Sequence, residues 1–214
     1  MAHIQCVCPA LKEARIRAHH NLVERLWNRL GQTAVRFVIY REMTVESLRG
    51  VEAPLDCRDE WQRALDELTD SDLAGPEAVA ADMLRKRPDG IALHWGEKTV
   101  LILEFTRGYD WRASRHDDID QVKTGRYTPL LDKLSHCLGQ GWTVEIVTFT
   151  LGVRGSYYEP AWRAALERFG LCGLKATEFM TELITSCLAE LDELYTSFTQ
   201  PGPTGVDQAV SPTP

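Results

Sequence analysis

The sequence predicts an α/β (α+β) protein: a small mixed β-sheet of about four strands flanked by helices. Three observations carry this. Several long stretches repeat apolar residues every three to four positions, four short runs are rich in β-branched and aromatic residues, and the two kinds follow the order helix, strand, strand, strand, helix, strand, helix. With 214 residues, 44% of them hydrophobic and six Trp, the chain has the length and apolar content to bury a full core.

Residues 11–30 place Leu11, Ala14, Ala18, Leu22, Leu26 and Leu30 on one stripe, and Gly31 closes the helix. Arg15, Arg17, Arg25 and Arg29 lie mostly off that stripe. TAVRFVIY (33–40) reads as a strand. The acidic stretch 55–84 predicts two short helices, around DEWQRALDEL and around PEAVAADMLRK. GIALHW (90–95) and TVLILEF (99–105) read as a hairpin whose Gly96-Glu97 turn suits a two-residue type II′ form. Residues 114–138 are helical, with Ser114 and Asp117 spaced as a capping box and Pro129 expected to kink the helix or divide it in two. WTVEIVTFTL (142–151) is a further strand, and 159–170 and 176–195 are helices. The tail, 199–214, is polar and Pro-rich and is expected to be disordered.

The net charge of −7 argues at first against a binder of phosphate backbones. Divided along the chain, it reads differently. Residues 1–41 carry seven Lys/Arg and two acids, 42–84 three and twelve, 85–175 fourteen and eleven, and 176–214 six acids with no Lys or Arg. Two mildly basic blocks are thus separated by an acidic insert and followed by an acidic tail. No run approaches the roughly 18 apolar residues of a membrane span, and the N-terminus lacks a signal-peptide pattern. The six cysteines form no CxxC, so a reduced, intracellular protein is expected.

The sharpest local feature is Arg87-Pro88-Asp89-Gly90 followed by Glu104. If Trp95 faces Lys98 across the turn, Asp89 falls directly opposite Glu104 on the same sheet face, with Cβ atoms roughly 4.5–5.5 Å apart. Two facing carboxylates need a cation between them, and a hard divalent ion such as Mg²⁺ accepts oxygen ligands and keeps waters for chemistry. The plainer alternative is acids splayed at a solvated strand end. Phosphodiester hydrolysis also calls for a positive group near the phosphate, and Lys123, with Tyr127 four residues on and Asp120 three before, lies on one helix face. The alternative for Lys123 is a surface pair with Asp120 or Asp117.

These pieces resemble the PD-(D/E)XK nuclease superfamily, and more closely the restriction-like endonuclease domain of site-specific non-LTR retrotransposon polyproteins. The resemblance rests on RPD at 87–89, LILEFT at 101–106, K-x-x-R-Y at 123–127, GW at 141–142 and GVRGSYY at 152–158. In that group the lysine is found on the downstream helix, in keeping with Thr106 here rather than a lysine two residues past Glu104. The family also places a C-x1–3-C-x7–8-H-x4-C zinc knuckle before an Arg/His-rich helix. His3 and Cys8 have the H-x4-C spacing, and ARIRAHH (14–20) follows. Two ligands cannot complete a tetrahedral Zn²⁺ site, so only an incomplete one is expected; Cys6, Cys8, His19 and His20 form the alternative set.

The resemblance implies a remnant of the zinc-knuckle region at 1–10, a restriction-endonuclease-like domain at 11–170 with the acidic helical insert at 42–84, a C-terminal helix at 171–198 and the tail. It implies an Mg²⁺- or Mn²⁺-dependent DNA endonuclease in which Asp89 and Glu104 hold the metal, the Phe105 carbonyl offers a further ligand, Lys123 positions water or phosphate and Tyr127 assists, with Glu24 an extra acid. Arg15, Arg17, Arg85, Lys86, Arg87, Arg126 and Arg154 would contact DNA. A nuclear location and an upstream reverse transcriptase portion of a longer polyprotein complete the expectation. A catalytically inert nuclease-like fold that binds nucleic acid or protein is the second reading, and an α/β interaction module without DNA binding the third.

Overall fold

The computed structural model describes residues 12–33, 35–69, 85–108 and 114–199, the side chains of 114–116 and 197–199 excepted. In chain order these form α1 (Lys12–Gly31), β1 (Val38–Arg41), a 3-10 turn (Glu46–Gly50), α2 (Arg58–Thr69), β2 (Gly90–His94), β3 (Thr99–Gly108), α3 (Ser114–Leu138), β4 (Thr143–Gly152), α4 (Glu159–Arg168) and α5 (Gly173–Thr199). The sheet order is β1-β2-β3-β4. The first two pairings are antiparallel, and β3 and β4 are parallel with α3 as the crossover, so the sheet is mixed and flanked by helices as its patterning implies. The region 1–10 with His3 and Cys8, almost all of the second insert helix, the Ser114 side chain and the tail beyond Thr199 lie outside the described residues.

Each sheet face carries its own core. Ala92, Leu101, Leu103, Phe105, Val147, Phe149 and Leu151 face α1, α4 and α5, which contribute Leu22, Leu26, Trp27, Trp162, Leu166, Phe179 and Leu183. Ile91, Leu93, Val100 and Ile102 face the other layer, where Trp61, Leu65 and Leu68 of α2 meet Tyr127, Leu130 and Leu134 of α3. Buried on both faces, β3 reads as a continuous apolar run instead of an alternating one. The acidic insert therefore supplies part of a core: α2 turns Asp59, Asp66 and Glu67 outward, pairs Glu60 with Lys98, and lays its Trp61–Ala64–Leu65–Leu68 stripe on the sheet.

Three expectations need correction. β1 starts at Val38, because Phe37 turns into the α1 core and Val35 accepts the Phe37 N–H within a tight turn. The β2–β3 connection is a four-residue loop, Trp95–Lys98, in which Lys98 takes the left-handed conformation (φ 45°) in place of Gly96. Of the two outcomes expected at Pro129, division into two helices does not occur: α3 is one helix of 25 residues. The Pro129 ring lies on the exposed face, and the residue four positions back, whose carbonyl a proline ring crowds, is Gly125, open on its outer side.

No helix among the described residues is long and apolar enough to cross a membrane.

Candidate active site

Strand parity fixes the centre of the site. The β2–β3 ladder ends at Gly90↔Leu103, and the next positions in that register are Asp89 and Glu104. A four-residue loop preserves the parity of a two-residue one, so the change of turn leaves that register in place. Beyond Leu103, β3 continues to Gly108 beside β4 alone. Glu104 therefore sits at the last core position before the open end of the sheet, on the α3 face with Ile102.

Glu104 is only 3% exposed, among neighbours that are nearly all apolar. A carboxylate at such a position is costly unless paired. Its partners come from α3: Lys123 Nζ lies 2.5 Å from Glu104 Oε2, and the Tyr127 phenol, one helical turn on, donates to the same carboxylate. Burial, then the hydrogen bond and charge of Glu104, push the Tyr127 phenol well above its ordinary pKa, so it keeps its proton. Lys123 is not the surface partner of Asp120; that carboxylate instead accepts the Thr150 hydroxyl at 2.6 Å.

Asp89 is held from three sides. Its Oδ2 accepts the Phe105 N–H at 2.8 Å, its Oδ1 faces His19 Nε2 at 3.6 Å, and its main-chain oxygen accepts Trp27 Nε1 at 3.0 Å and the Glu42 N–H at 3.3 Å. Gly90 makes room for that indole: a Cβ there would stand 3.3 Å from Trp27 Nε1 and from Leu103 Cδ1. Burial opposes the Asp89 charge, but His19, the Phe105 N–H and Lys123 outweigh it and hold the carboxyl below its usual pKa. In a strand the N–H and C=O of one residue point to the same side, so the Phe105 carbonyl is turned toward Asp89 as well.

The structure thus brings Asp89, Glu104, Lys123 and Tyr127 together at one end of the sheet. Two carboxylates and a backbone carbonyl are hard oxygen donors, the set that suits Mg²⁺ or Mn²⁺, and the Lys123 ammonium already provides positive charge beside one of them. Among the described residues no three His, Cys, Asp or Glu side chains converge on a single point.

The expected DNA contacts divide into groups. Lys86 donates to the Arg126 carbonyl, and both cations lie over the Tyr127 ring, at 5.6 and 5.7 Å from its centroid. Arg85 is exposed just before them. Arg87 is committed to Glu42, with its Nη2 2.6 Å from Oε2. Arg15 is one turn before His19 on the same face of α1, whereas Arg17 lines a groove with Glu190 and Glu193 of α5. Arg154 occupies a tight turn beyond β4, where Gly155 adopts φ 85° and the Gly152 N–H bonds Ser156; this is the same sheet end as Glu104. Glu24 is exposed and paired with Arg41 at 3.2 Å.

Sequence reasoning missed the contribution of α1 and the β1 exit. His19 and His20, weighed there only as zinc ligands, lie beside Asp89 and Glu42, His20 Nε2 being 3.3 Å from Glu42 Oε1. Glu42 holds a left-handed backbone (φ 44°) that aims its N–H at Asp89 and its side chain at His20 and Arg87. Nothing local in the sequence announces either. Arg107, another residue not foreseen, sits on the opposite sheet face in a nearly buried pair with Glu190 of α5, at 3.8 Å.

The chain matches no protein-family model and no curated protein.

Proposed function

We propose that this protein is a divalent-metal-dependent DNA endonuclease of the restriction-like, PD-(D/E)XK type, related to the nuclease domains of site-specific non-LTR retrotransposons. The observation that supports this best is the meeting of a buried Glu104 with Lys123 and Tyr127 of α3, beside an Asp89 held against the next residue of the same strand. An acid at such a core position, paired with a lysine, fits a site that handles phosphate better than it fits packing alone.

Asp89 and Glu104 would hold Mg²⁺ or Mn²⁺, with the Phe105 carbonyl as a further donor. Such an ion neutralises charge on the scissile phosphate and makes bound water acidic. Lys123, once it yields Glu104, orients the attacking water or offsets the charge gathering on the phosphate oxygens. Tyr127 keeps its proton and holds Glu104 in place. Arg15, Arg85, Lys86, Arg126 and Arg154 follow the DNA backbone, contributing grip without sequence readout. DNA, and the reverse transcriptase portion of a longer nuclear polyprotein, are the partners this reading names.

A second reading has its own support: Glu104 is already paired with Lys123 as it stands, as in an inert nuclease-like module that binds nucleic acid or protein. Nicking of supercoiled plasmid with Mg²⁺ or Mn²⁺ separates the two. The endonuclease reading expects relaxed circles from the wild type and none from Asp89→Asn, Glu104→Gln or an EDTA control. Plasmid left equally intact by all of them, while salt-sensitive DNA binding persists, establishes the inert module instead.

A further inference from the structure

The two oxygens of Asp89 are not equivalent. Oδ2 is engaged by the Phe105 N–H at 2.8 Å, which leaves Oδ1 as the atom open to a cation. The polar atom facing Oδ1 is His19 Nε2, at 3.6 Å, beyond hydrogen-bond length. Adjacent donors on one octahedral ion with bonds of about 2.1 Å lie about 3.0 Å apart, and about 3.4 Å apart on a tetrahedral one. The observed spacing of 3.6 Å is about 0.6 Å wider than the octahedral separation and about 0.2 Å wider than the tetrahedral one, a gap that a small rotation of either side chain closes.

The imidazole is well placed for this. Its ring packs on Phe105, with centroids 5.5 Å apart, and its helix is anchored by the buried Leu22, Val23 and Leu26. His19 is 28% exposed and Asp89 24%, so both remain open to an incoming ion. His20, next along the helix, turns instead to Glu42. Only one of the two histidines therefore bears on Asp89.

We propose that His19 is a direct nitrogen ligand of the cation held by Asp89, and that this nitrogen makes the site select Mn²⁺ over Mg²⁺. The inference rests on the metal site of the proposed endonuclease and specifies its ion. Mg²⁺ favours oxygen donors and retains its waters, whereas imidazole binds first-row transition ions. Between Mg²⁺ and Mn²⁺, which share a preference for octahedral oxygen ligation, one nitrogen in the donor set favours Mn²⁺, the first-row transition ion of the two. Asp89 and His19 are the preformed half of the set, and Glu104 joins when Lys123 releases it.

The test uses the full chain and Mn²⁺ itself. Pulsed EPR of bound Mn²⁺ should show coupling to a ¹⁴N nucleus in the wild type and in His20→Ala, and none in His19→Gln, which keeps a polar side chain of similar reach. Competition should show the Mn²⁺-to-Mg²⁺ affinity ratio falling at least about tenfold in His19→Gln, the scale on which changes in a metal's ligand environment act. Circular dichroism checks that the helix is retained. Bound Mn²⁺ that is lost in Asp89→Asn but shows no nitrogen coupling in the wild type overturns the His19 assignment and leaves the carboxylate site standing. Absence of any bound divalent ion overturns both.

Discussion

Removing the Lys123 ammonium tests whether Glu104 is a charged group held in a core position. The carboxylate is 3% exposed and the ammonium, 2.5 Å away, belongs to a side chain 25% exposed. Deleting one member of a buried pair costs about 3–5 kcal/mol, because the other charge is left without compensation. Partial exposure of Lys123 and the remaining Tyr127 phenol put Lys123→Ala at the low end, about 3 kcal/mol. At about 2–4 °C per kcal/mol for a chain of this size, the melting midpoint falls about 6–12 °C. Urea denaturation followed by circular dichroism supplies the free energy, with the exposed Lys175→Ala as control. Adding Glu104→Gln to Lys123→Ala removes the stranded charge and should recover about 1–2 kcal/mol. Mg²⁺ or Mn²⁺ should stabilise Lys123→Ala more than the wild type, since the cation takes the place left vacant. A Lys123→Ala variant no less stable than Lys175→Ala would refute the buried pair, and with it the reason for placing Lys123 in the site.

Three further outcomes follow from the same geometry. Thr106 shares the sheet face of Glu104 two residues on, so Thr106→Lys in the Lys123→Ala background should restore part of the plasmid nicking; complete inactivity in a folded double variant would show that the ammonium must arrive from α3. Because the Asp89 carboxyl titrates below its unfolded value of about 3.9, its contribution to stability is present above that pH and is lost as pH falls through the lowered native value. The stability difference between wild type and Asp89→Asn should therefore shrink as pH falls below about 5; a difference that grows in acid would reverse the sign of the argument. Gly90→Ala forces a methyl against Trp27 and Leu103, each 3.3 Å from the new carbon, and should cost about 1–3 kcal/mol by urea denaturation, with a neutral result showing that the indole can retreat from the Asp89 carbonyl.

Much of this arrangement is legible in the sequence because strands count in twos. The expected opposition of Asp89 and Glu104 follows from the hairpin register alone, and that register withstands the wrong choice of turn, since loops of two and four residues keep the same faces together. Placing Lys123 and Tyr127 on one side of a helix needs only the 3.6-residue period. His19 is different: it lies seventy residues before Asp89, and only the packing of α1 across the sheet brings it there. Glu42 is hidden for a similar reason, because a non-glycine residue in a left-handed conformation has no sequence signature. The structural role of α2 was readable in its apolar stripe and obscured by its acids, which describe only its outer surface.

The overhang of β3 past β2 has a consequence for any experiment on Asp89. A strand that outruns its neighbour exposes unsatisfied N–H and C=O groups, which invite an extended segment of another molecule to pair there. At Phe105 the Asp89 side chain fills that role, its carboxylate standing where a neighbouring strand's carbonyl would otherwise be. The same acid is thus a stopper on an open ladder. An alanine at this position uncorks it, and self-association by strand addition becomes a second phenotype to be separated from lost chemistry, whereas asparagine keeps an oxygen over the Phe105 N–H and leaves the sheet margin sealed.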